Sequence, residues 1–149
     1  MIQPLDDTYF MKRALQEAEM ALDKSEVPIG AVVVMNNQII ARAHNLTETL
    51  NDVTAHAEMQ AFTAASNFLG GKYLKECTLY VTLEPCQMCA GASYWAQIGK
   101  IIFGASEGKR GFIAMKTTLH PKTEVVGGVL KEECSKLLKR FFIEKRNLN

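Results

Sequence analysis

Apolar residues recur at helical spacing between Thr8 and Lys24, where Phe10, Ala14, Leu15, Ala18 and Leu22 fall on one face. Asp7 or Thr8 is placed to cap this helix, and its apolar stripe implies packing on a sheet. The β-branched run from Ile29 to Met35 predicts a strand. Asn36-Asn37 then separates it from Ile39-Ile40-Ala41, which predicts an antiparallel hairpin. After a polar loop through Asn45 and Asp52, Thr54 can cap a second helix that runs to about Phe68 and is ended by Gly70-Gly71. His56 and Glu58 fall in its first turn. A third strand, Thr78–Leu83, leads into Glu84-Pro85-Cys86, where proline suits the opening of a third helix through about Ile98. Cys86 and Cys89 fall in that helix's first turn. Lys100–Gly104 reads as a fourth strand, residues 105–122 show little periodicity, and a last helix spans about Leu130 to Lys145.

Strands alternating with helices imply an α/β sandwich whose later strands run parallel. In such sheets, sites form where strand ends meet helix starts, and both the His56-Glu58 and Cys86-Cys89 pairs lie at helix starts.

The chain of 149 residues is expected to form one domain over 1–149. Its 48% apolar, 8% aromatic and 22% charged residues match globular proteins and exclude disordered, fibrous and disulfide-stapled classes. No run of about 18 apolar residues occurs, and the first residues lack a basic segment followed by an apolar one, so no membrane and a cytoplasmic location are expected. There, the four cysteines read as thiols or metal ligands rather than as two disulfides. The net charge of +1 hides an uneven distribution: residues 1–99 carry 6 Lys and Arg against 11 Asp and Glu, residues 100–149 carry 11 against 5. A basic final third can meet phosphate, although any single lysine there equally serves to solvate a helix face.

The chemistry is concentrated in His56-Ala57-Glu58 and in Pro85-Cys86-Gln87-Met88-Cys89, whose Cys86 lies 30 residues after His56. Two thiolates and a neutral imidazole balance the charge of Zn²⁺ and leave the fourth tetrahedral position for water, as a catalytic zinc requires. The helix N-terminus lowers the thiol pKa values toward thiolate. Glu58, left off the metal, is free to move protons. Alone, a Cys-x-x-Cys can be a redox pair, and a lone His-x-Glu says little; jointly they point to metal-assisted deamination of a nucleobase.

These residues resemble the cytidine deaminase-like superfamily, and within it the bacterial tRNA adenosine deaminases, a system that serves as a standard example of this signature. The resemblance also runs through Val27-Pro28-Ile29-Gly30-Ala31-Val32, Asn45, Asp52 with Thr54-Ala55-His56, Leu79 to Cys86, Cys89-Ala90-Gly91-Ala92, Phe103-Gly104-Ala105 and Glu133-Cys134 to Phe141-Phe142, covering roughly residues 8–146. It implies a three-layer α/β/α sandwich on a mixed, roughly five-stranded sheet and one Zn²⁺ per chain. It also implies a homodimer and a substrate adenosine at the wobble position of a tRNA anticodon stem-loop. By the same resemblance Asn45 hydrogen-bonds the purine and Val27-Pro28 line the base pocket. The Ala57 and Cys86 neighbourhood, at two helix starts, can offer backbone N–H donors to the substrate, and Pro85 is a further substrate-binding candidate. Asn45 is otherwise a residue suited to a loop turn.

After Gly104-Ala105 the sequence departs from that family. In place of an Asp-x-Lys-x-Gly-Ala segment and an Asn-His pair stand Ser106-Glu107-Gly108-Lys109-Arg110-Gly111-Phe112 and Leu119-His120-Pro121, in a shorter segment. The departure touches the substrate rather than the chemistry. Lys109, Arg110, Lys139, Arg140, Lys145 and Arg146 are candidate phosphate contacts. Phe141 continues the apolar face of Leu130, Cys134, Leu137 and Leu138, whereas Phe142 lies off it and can stack on a base. Cys77 and Cys134 read as small buried residues. Two other functions compete: deamination of a free base such as guanine or cytosine, and a non-catalytic zinc protein that binds RNA. Glu58 argues against the second.

Overall fold

The Asp6 side chain, with extended backbone, accepts the Tyr9 amide at 2.9 Å and caps the first helix, α1 (Asp7–Asp23). The expected caps Asp7 and Thr8 lie inside the helix instead, because the carboxylate three residues before Tyr9 already satisfies an amide at its open end. This computed structural model describes residues 4–147. Ala14, Ala18 and Ala21 of α1 are buried, and this small-residue face lets the helix come close to the sheet. At Gly30 a Cβ would lie 2.1 Å from the Ala14 carbonyl oxygen and 2.4 Å from the Ala18 amide nitrogen, so only glycine fits under the helix there.

Strands β1 (Gly30–Met35) and β2 (Gln38–His44) form the expected antiparallel hairpin. Asn36 and Asn37 both adopt positive φ, 50° and 61°, the turn whose twist matches that of the flanking strands. Helix α2 (Ala57–Leu69), strand β3 (Thr78–Leu83), helix α3 (Gln87–Ala96), strand β4 (Lys100–Ala105), strand β5 (Glu124–Gly127) and helix α4 (Lys131–Asn147) follow. The sheet order is β2-β1-β3-β4-β5, with β1 antiparallel to both neighbours and β3, β4 and β5 parallel.

Alternation along the strands sorts their side chains into two layers of core. Val32, Val34, Tyr80 and Ile102 pack with Phe10, Met11 and Ala14 of α1 and Cys134 of α4. Ala31, Val33, Leu79, Val81, Ile101 and Phe103 pack on the other face with Ala57, Ala61, Phe62 and Ala65 of α2 and Ala90 of α3. The result is the three-layer sandwich on a mixed five-stranded sheet. Phe141 and Cys134 are buried on α4 and Phe142 is exposed, as the helical spacing predicts.

Two further boundaries and one strand differ from the pattern. Helix α2 begins after Thr54, whose amide and hydroxyl both donate to the Asp52 side chain at 2.8 and 2.7 Å, so that Thr54 closes a turn and His56 becomes the cap residue. Helix α3 stops at Ala96 rather than Ile98, because Gln97 turns left-handed at φ 55° and its amide returns to the Ser93 and Tyr94 carbonyls. Strand β5 has every residue exposed and so lacks the alternation that marks a strand; its ladder with β4 holds it at the sheet edge. Among the described residues no helix is long and apolar enough to cross a membrane.

The register gathers one end of the sheet. Gly30 pairs with His44, Ala31 with Val81, and Leu83 with Ala105. The segments that precede β1 and follow β2, β3 and β4 therefore meet at this end, and α2 and α3 both start there.

Candidate metal and catalytic site

His56 and Cys86 are the cap residues of α2 and α3, both with extended backbone and neither using its side chain to cap. A side chain in the cap position that does not bend back to the helix amides is free to point across the gap between the two helix ends. His56 Nδ1 lies 3.6 Å from Cys86 Sγ and 3.5 Å from Cys89 Sγ. The three donor atoms all lie within 4.8 Å of one another, and among the described residues this group has three members.

These separations test the fit to a metal. With Zn–S near 2.3 Å and Zn–N near 2.05 Å, two tetrahedral ligands place N and S about 3.6 Å apart. The observed pairs match, so two sulfurs and one nitrogen suit a zinc-sized ion with one position left over. The Cys89 thiol hydrogen-bonds to Cys86, which outweighs burial and, with His56, brings the Cys86 pKa down to about 4. The same bond, followed by burial, pushes Cys89 far up, and the bond to Cys86 raises His56. These hydrogen bonds and the positive end of α3 both favour the thiolate form of Cys86, the form that binds a metal.

Glu58 sits one residue into α2 and is 4% exposed. Burial raises its pKa to about 7, against the opposing pull of its own amide and of His56. A carboxyl that exchanges its proton near neutral pH is suited to general acid–base work.

A cavity of about 440 Å³ opens onto this group, lined among others by Val27, Asn45, His56, Ala57, Glu58, Cys86, Arg110 and Phe142. The structure therefore brings most of the sequence-selected residues together. Asn45 is buried, its Nδ2 donating to the Val27 carbonyl at 3.4 Å and its Oδ1 accepting the Thr47 amide at 3.3 Å. Each end of the amide keeps further hydrogen-bonding capacity. Pro28 and Pro85 are buried beside the site but are not among the residues that line the cavity.

A second, open depression of about 640 Å³ lies on the face of α4 formed by Leu138, Lys139, Phe142, Ile143, Lys145 and Arg146, and shares Leu138 and Phe142 with the catalytic cavity. Leu138 and Phe142 thus connect the catalytic cavity to the face of α4 that carries Lys139, Lys145 and Arg146. Lys109 and Arg140 line neither space; the Arg140 guanidinium instead pairs with Glu144 at 3.1 Å on the exposed side of the helix.

Sequence reasoning gave no role to two buried carboxylates near the site. Glu26 accepts the Glu48 and Thr49 amides and the Thr49 hydroxyl at 2.6–3.1 Å, clamping the loop after Asn45. Glu84 accepts two amides of the loop after β4. The signal for Glu84 was an acidic residue at the end of an apolar strand, where α/β sheets place their sites.

Comparison with known proteins agrees with this geometry. A family model of MafB19-like deaminases matches residues 5–148. The tRNA-specific adenosine deaminase of Bacillus subtilis is 48% identical over 146 residues, covering 94% of this chain and 91% of that protein. A solved structure from a study of A-to-I editing by tRNA:A34 deaminases at the wobble position of transfer RNA superposes with a TM-score of 0.83 at 42% identity, covering 88% of this chain and 99% of that one. The guanine deaminase of Bacillus subtilis is also similar, with a TM-score of 0.66 and 39% identity over 68% of this chain and 66% of that one.

Proposed function

We propose, from the premise that this chain belongs to the tRNA-specific adenosine deaminases within the MafB19-like deaminase family, that it hydrolyses adenosine to inosine at the wobble position of a tRNA anticodon, as one deaminase domain over 1–149. The observation that carries the chemistry is the meeting of His56, Cys86 and Cys89 at zinc-compatible separations beside a buried Glu58.

His56, Cys86 and Cys89 would hold one zinc per chain, which supplies Lewis-acid activation of water. Glu58 takes a proton from the attacking water and delivers it to ring N1 as C6 becomes tetrahedral. Glu58 then takes the proton of the new C6 hydroxyl and passes it to the amino group, so that the C6–N bond breaks, ammonia leaves and the C6 carbonyl of inosine forms; no organic cofactor is needed. Asn45, with Val27 and Ala57, holds the flipped-out base; Pro28 and Pro85, buried behind the cavity, support that wall. Burial of Glu58 shields its carboxyl from bulk water and raises its pKa toward neutrality, which suits a group that must both take and give a proton.

Support for an RNA rather than a free base comes from the open depression on α4. Phe142 offers a stacking face at the cavity, and Lys139, Lys145 and Arg146 offer phosphate contacts beside it, with Arg110 on the cavity wall. Lys109 and Arg140 remain candidates for phosphates farther from the reactive nucleotide. The family further leads us to propose a homodimer and a cytoplasmic location.

The competing activity is deamination of free guanine, because a guanine deaminase shares this fold at 39% identity. Mass analysis of an adenosine-bearing anticodon stem-loop after incubation with the zinc-loaded protein separates the two. We expect one inosine in the loop and no change in free adenine, guanine or cytosine. Turnover of free guanine with an untouched stem-loop overturns the tRNA reading.

A further inference from the structure

Glu84 is a buried carboxylate that the proton chemistry does not use. It follows Leu83, the last residue of β3, and is 4% exposed. Its Oε1 accepts the Glu107 amide at 3.1 Å and its Oε2 accepts the Ile113 amide at 3.0 Å. Both donors belong to the aperiodic loop after β4. The backbones run alongside: the Glu84 amide donates to the Ala105 carbonyl at 2.8 Å, the Phe112 amide to the Pro85 carbonyl at 2.9 Å, and Cys86 bridges to Gly111. Gly111 is pressed against the carboxylate, for a Cβ there would lie 2.2 Å from Oε2 and 2.6 Å from the Glu107 carbonyl oxygen. This loop contributes Ser106, Glu107 and Arg110 to the cavity wall.

We propose that Glu84 is a positioning residue for substrate binding: its carboxylate holds the 106–113 loop, with Arg110, as the wall of the catalytic cavity. The inference rests on the deaminase reading of that cavity. A carboxylate only accepts hydrogen bonds, so one side chain can pin two amides that are six positions apart. Its charge strengthens both bonds, and burial excludes water as a substitute partner. Glutamine at this position keeps the size but turns an N–H toward one of the two amides. The loop lies on the wall rather than among the donor atoms that surround the metal position, so its loosening weakens binding of substrate and transition state alike and raises KM with little change in kcat.

The test compares the zinc-loaded wild type with Glu84→Gln, Gly111→Ala and the double variant, on whichever of the anticodon stem-loop or free guanine the wild type turns over. Amide hydrogen exchange at Glu107 and Ile113 and zinc content are read in the same samples. For Glu84→Gln we expect KM about tenfold higher, the cost of one charge-assisted hydrogen bond. We expect kcat within about twofold, wild-type zinc and faster exchange at both amides. Gly111→Ala reaches the same contact from the other side and should reproduce the pattern, and the double variant should cost less than the product of the two. Unchanged exchange in both single variants overturns the clamp. Faster exchange with an unchanged KM overturns its role in binding. A joint fall of kcat and zinc at constant KM would show that Glu84 acts through Cys86 instead. A wild type inactive on the stem-loop defeats the tRNA reading alone, because exchange still decides the clamp.

Discussion

Replacing Glu58 by glutamine should slow turnover steeply and should make the metal-free protein more stable. The carboxyl is 4% exposed, and burial moves its pKa from 4.5 to about 7. Between those two values the folded protein holds the proton that the unfolded chain has released, so stability falls as pH rises through that window. Above it the whole cost of burying the charge remains, about 3 kcal/mol at roughly 1.4 kcal/mol per pKa unit. Glutamine fills the same space without a charge to bury. Metal-free Glu58→Gln should therefore be about 3 kcal/mol more stable than metal-free wild type near pH 8 and about equal to it near pH 4. The same replacement removes the proton carrier, so kcat should fall about 10²–10⁴-fold, or roughly 3–5 kcal/mol in the barrier, with zinc content unchanged. Urea unfolding of both metal-free proteins across this pH range, with steady-state rates of the zinc-loaded forms, measures the two effects. A variant with the wild-type pH slope would refute the burial argument, and one with undiminished turnover would refute the proton-shuttle role.

Glu26 should behave in the opposite sense. Burial raises its pKa, but hydrogen bonds from the Thr49 amide and hydroxyl, the Glu48 amide and the Thr47 hydroxyl outweigh it, and the carboxyl lies below its ordinary 4.5. Its contribution is complete above the unfolded pKa and is lost as pH falls through the lower folded value, so Glu26→Gln should flatten the acid limb of thermal stability. Near neutral pH the variant should be about 2 kcal/mol less stable, and an unchanged acid limb would contradict the clamp. Gly30→Ala drives a methyl into the α1 backbone at 2.1 Å and should cost about 3 kcal/mol in urea unfolding. A loss below about 0.5 kcal/mol would mean that the helix does not press on the sheet as described.

Much of this was legible in the sequence because two periodicities and one motif were strong. The alternation through Val32, Val33 and Val34 and the helical spacing through Cys134 and Phe141 fixed which faces meet, since core burial tolerates few other solutions. His56, Cys86 and Cys89 were legible because metal chemistry admits few donor sets. Strand β5 was not, since an exposed edge strand carries no burial pattern and is held by a backbone ladder that side chains do not encode. The cap positions were off by one or two residues because Asp52 competes for Thr54 and Asp6 reaches Tyr9, contests between neighbouring polar groups that spacing alone does not settle. Glu26 and Glu84 escaped notice for a related reason. Their partners are backbone amides 22 to 29 positions away, and nothing in the identity of those residues marks the amide as a donor.

X-ray absorption at the zinc edge of the fully loaded protein tests the coordination sphere directly. The account predicts one zinc per chain with two sulfur ligands near about 2.3 Å and one imidazole nitrogen near about 2.0 Å, plus one exchangeable light atom that comes from solvent. A second protein nitrogen or carboxylate in the fourth position, or a sphere lacking either sulfur, would contradict it.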